Sequence, residues 1–263
     1  MVKDEFSVLF ARIDDLCRRA ERGEVAVSVF LSPREAHFAL GYLSSRGISD
    51  RAFAYGGYES AERRRLYILP DYISEVGNFG DIEPYLEGES ISSLLIRGSG
   101  YRELSHRDYL GCVLSLGIER DVLGDIAFRE GTQDEAVIFC DALISDFLLS
   151  DLKKVAGDSV RVSRVELPYD FEPKREFAHI SDTVASPRAD CVVAALFSLS
   201  REKASAAVTS GLVEVDFETE SRPDRALRTP CIISVRGYGK FRVNSVSEHT
   251  RRGRLRLDAD KFV

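Results

Sequence analysis

The 263-residue sequence predicts an α+β, multidomain protein on three observations. Apolar residues recur in turn at helical spacing and at strand alternation along the chain. Gly- and Pro-marked stretches near residues 71–90 and 168–181 divide it into three segments. Charge is unevenly spread over those segments. Residues 1–180 hold 22 basic against 32 acidic side chains, residues 181–263 hold 14 against 11, and residues 222–263 hold 11 against 4. An acidic body carrying a basic end is the asymmetry expected when one module meets a polyanion. A basic tail that only aids solubility gives the same count, so charge alone does not assign a partner.

Composition removes several classes. With 44% apolar and 30% charged residues the chain can bury a core, and wholesale disorder is excluded. No apolar run approaches the ~18 residues that cross a bilayer, and MVKDEFSV does not open like a signal peptide. The cysteines, Cys17, Cys112, Cys140, Cys191 and Cys231, form no C-x-x-C pair. That argues against a zinc module or a disulfide framework and for buried free thiols in a reducing cytoplasm.

The first segment, residues 1–75, reads as an α/β unit. Phe6, Leu9, Phe10, Ile13, Leu16, Cys17 and Ala20 put a helix over residues 4–21, stopped at Gly23. Val25, Val27 and Val29 lead into Phe30-Leu31 as a strand. Ser32-Pro33-Arg34-Glu35 combines a cap, a proline at the first helical position and a glutamate that reaches back. That helix is expected to bury Phe38, Leu40 and Leu43 and to end at Gly47. Two short strands follow, 52–55 and 66–69, around a Gly56-Gly57 turn and the run Glu62-Arg63-Arg64-Arg65. Those arginines read better as a solvated element end than as a basic spot.

The second segment, residues 76–168, has strands at 91–97, 122–128 and 136–140, with a turn over 130–134, and a fourth strand through Val160, Val162 and Val165. Helices fall at 105–117, burying Tyr109, Leu110, Val113, Leu114 and Leu116, and after Asp141 through Leu143, Ile144, Phe147, Leu148 and Leu152. The order β-α-β-β-α-β is that of a ferredoxin-like, RNA-recognition-like domain. Many unrelated proteins share it, so the topology licenses no function. The third strand, Ala136-Val137-Ile138-Phe139-Cys140, lacks the aromatic signature that stacks bases. Any RNA contact of this domain is therefore expected on another surface.

The third segment, residues 182–263, opens with two short helices. The first follows Ser186-Pro187-Arg188-Ala189-Asp190, and the second is capped by Ser200 and runs from Arg201 to Ser210. Strands at 212–216 and 232–236 and the Gly237-Tyr238-Gly239 turn follow. Arg201 and Lys203 occupy a first helical turn, where cations oppose the macrodipole. The placement makes sense if a phosphate sits there, with free N–H groups and cations converging on it. Arg188 from the preceding helix start, and Arg236 and Lys240 from the hairpin, are expected to extend that patch.

Ser186-Arg188-Asp190, Ser200-Arg201-Ala204 and Gly211-Val213-Val215 resemble the small RNA-binding domain first described in the fourth protein of the ribosomal small subunit, the S-four (αL motif) domain. Ala189 departs from its usual Leu, Asp216 from its usual Asn, and Pro230-Cys231 from its usual Gly-Asp. Other carriers of such a domain do not fit. The aspartate motif of pseudouridine synthases, the G-x-G-x-x-G loop of RNA methyltransferases and a P-loop are all missing. His106-Arg107-Asp108 imitates a kinase catalytic loop, but Val113 stands where Asn would hold magnesium.

The chain as a whole resembles the YlmH family of bacterial S-four-domain proteins. The resemblance rests on Phe30-Leu31-Ser32-Pro33, Tyr55-Gly56-Gly57-Tyr58, Ala61-Glu62-Arg63, Leu104 to Gly111, Leu116-Gly117-Ile118 with Arg120, and Gly124-Asp125-Ile126. It implies a non-enzymatic protein binding structured RNA (rRNA, tRNA) on the large ribosomal subunit, and, since His37, His106, His179 and His249 show no metal spacing, neither metal nor cofactor is expected. The role implied is ribosome-associated quality control of stalled peptidyl-tRNA. The alternative reading is a cell-division-linked factor whose acidic segments bind a protein partner. An RNA-modifying enzyme would be marked by His106 and Asp125 meeting in an enclosed pocket. The expected RNA contacts are Arg188, Ser200, Arg201, Lys203, Arg236, Lys240 and Arg242, with His106 and Arg107 from the central segment.

Overall fold

A computed structural model describes residues 5–73, 76, 78–86, 90–129, 134–168, 170–174, 177–249 and 253–262. Most of the turn expected over 130–134, and Gly77 and Gly88 of the connecting stretch, lie outside the described residues. The chain forms two compact units, Met1–Lys174 and Arg175–Val263. No helix among the described residues is long and apolar enough to cross a membrane.

In the first unit, α1 (Ser7–Glu21) and α2 (Pro33–Ser45) lie with a three-stranded sheet of β1 (Ala26–Val27), β2 (Ala52–Tyr55) and β3 (Arg65–Ile68), ordered β1-β3-β2. The box at the start of α2 forms as its residues dictate. Ser32 Oγ accepts from the Glu35 N–H, and the Glu35 carboxylate accepts from the Ser32 N–H. The buried face of α2 is Ala36, Ala39 and Leu43, and Leu40 is exposed, contrary to the sequence reading. The strand expected through Val29 stops at Val27. Phe30 leaves that sheet and donates its N–H to the Asp121 carbonyl of the central segment.

A four-stranded antiparallel sheet fills the rest of the first unit. Its strands are β4 (Ile91–Arg97), β5 (Leu123–Phe128), β6 (Glu135–Asp141) and β9 (Arg161–Arg164), in the order β5-β6-β4-β9. The short hairpin of β7 (Lys154–Val155) and β8 (Asp158–Ser159) precedes β9. Two helices, α3 (His106–Ser115) and α4 (Ala142–Asp151), cover one face. Ala136, Ile138 and Cys140 of β6 point to them, together with Tyr109, Val113, Leu148 and Leu152. Leu114, Leu143 and Phe147, expected in that core, are exposed.

The other sheet face carries Val137 and Phe139 of β6 and Ala127 of β5, and it is also buried. Its cover comes from the first segment and from the chain after β9. Tyr58 packs on Phe139 in a tilted pair with ring centroids 4.9 Å apart, and Phe171 packs edge-on against Tyr58. The motifs behind the family resemblance meet at this junction. Asp125 accepts from Tyr58 Oη (2.7 Å) and from the N–H groups of Glu62 (2.7 Å) and Arg63 (3.0 Å). The Arg63 guanidinium donates to the carbonyls of Leu123 (2.8 Å), Phe30 (3.0 Å) and Arg120 (2.9 Å). Arg65 is buried, donates to the Ser28 carbonyl and pairs with Asp141. These arginines are therefore neither a solvated end nor a basic spot. Arg63 and Arg65 bind the first segment to the central one, while Arg64 donates to the Ala61 and Glu59 carbonyls of its own segment.

The second unit is a six-stranded sheet with two helices on one face. Its strands are β10 (Phe177–Val184), β11 (Val213–Val215), β12 (Glu218–Thr219), β13 (Cys231–Val235), β14 (Gly239–His249) and β15 (Leu255–Phe262), in the order β10-β15-β14-β13-β11-β12. The helices are α5 (Ala189–Leu196) and α6 (Arg201–Thr209). The stretch 169–181, read from sequence as an unpatterned linker, supplies the first five of the eight residues of β10. As an edge strand paired only with β15, β10 has one half-buried face, so its alternation is weak. Asp216 adopts a left-handed φ of 50°, and its side chain accepts from the Ile232 N–H at 2.8 Å. Asn and Asp are the side chains that tolerate this backbone best, which accounts for either residue at this position. Four of the five cysteines are buried and all are free thiols.

Candidate nucleic-acid interface

The starts of α5 and α6 converge on one buried carboxylate. Arg188 caps α5 in extended backbone and makes a two-pronged contact with Asp190, through Nε and Nη2, each at 3.1 Å. Arg201, in the first turn of α6, donates through Nη2 to the same carboxylate at 3.1 Å. The Asp190 side chain is 6% exposed, whereas those of Arg188 and Arg201 are 44% and 55% exposed. This arrangement explains the spacing of Ser186-Arg188-Asp190 and Ser200-Arg201-Ala204. Ala189 and Ala204 are fully buried and place the carboxylate and the second arginine, while Ser200 Oγ caps α6 by accepting from the Lys203 N–H at 3.2 Å. The Lys203 residue is exposed.

Asp190 does not cancel this site so much as orient it. One negative charge faces two positive ones, and the carboxylate fixes both guanidinium planes. Among the described residues no partner is seen for Nη1 of Arg188 or for Nε and Nη1 of Arg201, which can serve an external acceptor. Burial pushes the Asp190 carboxyl upward, but hydrogen bonds from Arg188, Arg201 and Cys191 outweigh it and hold it below its ordinary 3.8. Because the native value is depressed, the contribution to stability is present above 3.8 and is lost as pH falls through the native value. Acidification from pH 5 to pH 3 should therefore lower the amide protection factors of α5, taken relative to intrinsic exchange at each pH, more in the wild type than in Asp190→Asn. Equal sensitivity of the two chains would remove Asp190 from this role.

The hairpin cations lie elsewhere. Phe241 and Val243 of β14 are buried under the helices, so Lys240 and Arg242 alternate onto the opposite sheet face. There Lys240 Nζ stands 4.3 Å from the Phe262 ring centre, and Arg242 lies 5.0 Å from that of Phe177. Asn244, His179, Asp258 and Asp260 form a hydrogen-bonded group on that face. The sheet thus divides the patch expected from sequence, with Arg188, Arg201 and Lys203 on the helical side and Lys240 and Arg242 on the other. Arg236 is exposed at the turn, where Gly237 and Gly239 have positive φ. The far-face placement was readable from the period-two pattern of Phe241 and Val243. The pairing of both arginines with Asp190 was not.

In the first unit, His106 and Arg107 are exposed at the start of α3. Asp108 closes a box with Ser105, accepting from its N–H at 2.8 Å and from its hydroxyl at 2.6 Å. These bonds hold the Asp108 carboxyl below its ordinary value. The motif that imitates a kinase loop is thus a helix cap. Asp125, considered as a partner for His106, has both oxygens engaged in the junction with the first segment.

Residues 8–73 match the family model described as "YlmH, N-terminal", and residues 95–169 match "Putative RNA-binding domain in YlmH". Both regions are thus similar to domains of the YlmH family. A Bacillus subtilis (strain 168) protein named ribosome-associated protein quality control protein P2 is 26% identical over 242 residues, covering 92% of this chain and 89% of that protein. A solved structure titled cell division protein ylmH from Streptococcus pneumoniae aligns with a TM-score of 0.48 at 24% identity, over 62% of this chain and 92% of that one. The two YlmH models stop short of the second unit, which contains the Arg188–Asp190–Arg201 cluster.

Proposed function

We propose that this chain is a non-enzymatic RNA-binding protein that acts on the large ribosomal subunit in ribosome-associated quality control. Its second unit, read as an S-four domain, grips the phosphates of ribosomal RNA or tRNA. The carrying observation is the buried Asp190 that holds two half-exposed arginines at the starts of neighbouring helices, beside Lys203. Oriented guanidinium groups at helix starts suit a phosphate oxygen better than a carboxylate side chain of a partner, because several donors converge on one point. The name of the Bacillus relative and the description of the central family model support the same reading. A soluble cytoplasmic setting follows from a ribosomal target.

Co-sedimentation with purified large subunits tests the reading. The variant Arg201→Gln with Lys203→Glu keeps a donor for Asp190 and removes two cations. It should bind about tenfold more weakly, and the slope of log affinity against log salt should shrink by about two. Unchanged binding and slope would defeat the assignment. Recovery of division proteins in a nuclease-resistant complex, with no ribosomal RNA, would favour the division-linked alternative.

A further inference from the structure

The central sheet of the first unit has a strip that the described residues leave uncovered. Tyr58 and Phe171 close the middle of the face that bears Phe139, but the same face continues to the strand ends at Arg97, Arg129 and Glu135. Strand alternation fixes this placement. Arg97 shares a face with Leu95 and Ile91, Glu135 with Val137 and Phe139, and Arg161 with Val165, all of which belong to the covered cluster. Arg97 sits opposite both Glu135 on β6 and Arg161 on β9.

At this rim the geometry of the second unit recurs. The Glu135 side chain is 9% exposed and pairs with Arg97 through one oxygen and with Arg129 through the other (3.2 Å). Arg97 and Arg129 are 55% and 44% exposed. Arg161 is exposed beside them, and no ion pair is seen for it among the described residues. The loop that follows β4 at this end presents Tyr101, a residue 91% exposed. These arginines gather at one end of one sheet within a segment whose acidic side chains outnumber its basic ones by ten. A lone solvated arginine needs no explanation. Three on one strip, two of them held by a buried glutamate, form an oriented cationic surface.

We propose that this rim is a second RNA contact, in which Arg97, Arg129 and Arg161 hold backbone phosphates and Tyr101 stacks on an unpaired base. RNA fits better than an acidic peptide because the loop leaving this strand end carries an exposed tyrosine, and cations with an exposed aromatic are the combination that binds single-stranded nucleic acid without base reading. The inference rests on the RNA-binding reading above and adds a separate surface to it. It also gives the central domain a mode of contact that needs no stacking pair on its sheet.

The test uses the full chain and purified bacterial large ribosomal subunits. A photoreactive benzoylphenylalanine is placed at position 101 in one preparation and at position 203 in another. Crosslinks to ribosomal RNA from both positions are the expected result. RNA crosslinks from 203 but none from 101 would overturn the rim contact and leave the reading of the second unit standing. Crosslinks from 101 to ribosomal protein alone would also overturn it, assigning the rim to a protein partner. No RNA crosslink from either position would overturn both. Arg161→Ala, which breaks no ion pair seen among the described residues, should weaken subunit binding about threefold to tenfold and reduce the salt slope by about one. An unchanged slope counts against the rim.

Discussion

Replacing Arg63 with methionine should destabilise the first unit by about 3–5 kcal/mol, a loss set by stranded carbonyls rather than by lost packing. The Arg63 side chain donates to three carbonyls from two stretches distant in the chain, Phe30 in one and Arg120 and Leu123 in the other. Each hydrogen bond from a charged donor is worth about 1.5–3 kcal/mol, and a buried acceptor left without a donor costs about 1–3. Methionine fills most of the volume but donates nothing. Burial pushes the Arg63 guanidinium below its ordinary value, as expected of a charge held by carbonyls in a poorly solvated place. The readout is specific. Nine of the ten tyrosines lie in residues 1–174 and the chain has no tryptophan, so tyrosine emission during urea unfolding reports on this unit. A midpoint shift worth less than about 1 kcal/mol would show that the carbonyls find other donors.

Arg63 also marks where the sequence stops being legible. Helices announced themselves through local chemistry. Ser32-Pro33-Arg34-Glu35 and Ser200 with Lys203 form the caps that their side chains permit. The strand at 91–97 has the bounds its alternation gives. What failed was the partner of each charged side chain, because that depends on residues distant along the chain. The run Arg63-Arg64-Arg65 looks solvated until Phe30, Asp125 and Asp141 are brought beside it. Leu114, Leu143 and Phe147 look buried because periodicity reports a helical face, not how far the neighbouring element reaches over it. β10 and β15 escaped for a related reason. Their outward positions mix Phe177, His179, Asp258, Asp260 and Phe262, so apolar and polar residues share one face.

The candidate site shows the same division. The residue types and their spacing at Arg188, Asp190 and Arg201 were readable as a motif. That a buried carboxylate sets the two guanidinium planes became visible only in three dimensions. Glu135 with Arg97 and Arg129 carried no motif at all, since the three residues come from three separate strand ends. Two unrelated folds in one chain thus reach a similar solution: an acid with little exposure flanked by two arginines that remain half open to solvent.

Gly57→Ala should be nearly as damaging as the loss of Arg63, at about 3–5 kcal/mol, and for a purely steric reason. Gly57 has φ of +103°, a conformation that side-chain-bearing residues rarely adopt, and an added Cβ would lie 2.2 Å from Cδ1 of Phe139. Phe139 has no room to retreat. It is fully buried on the sheet face, with Tyr58 packed over it and Phe171 nearby. The strain therefore passes into the Tyr58–Asp125 junction and loosens the cover of that face. Gly41→Ala provides the control. Gly41 sits within α2 with nothing inside 4 Å of an added Cβ, so alanine should stabilise the helix by about 0.5–1 kcal/mol. A Gly57→Ala chain as stable as wild type would mean that the first segment rests on the sheet loosely enough to shift. The middle of the sheet face would then have to be reconsidered as a surface open to RNA, alongside the charged rim at its end.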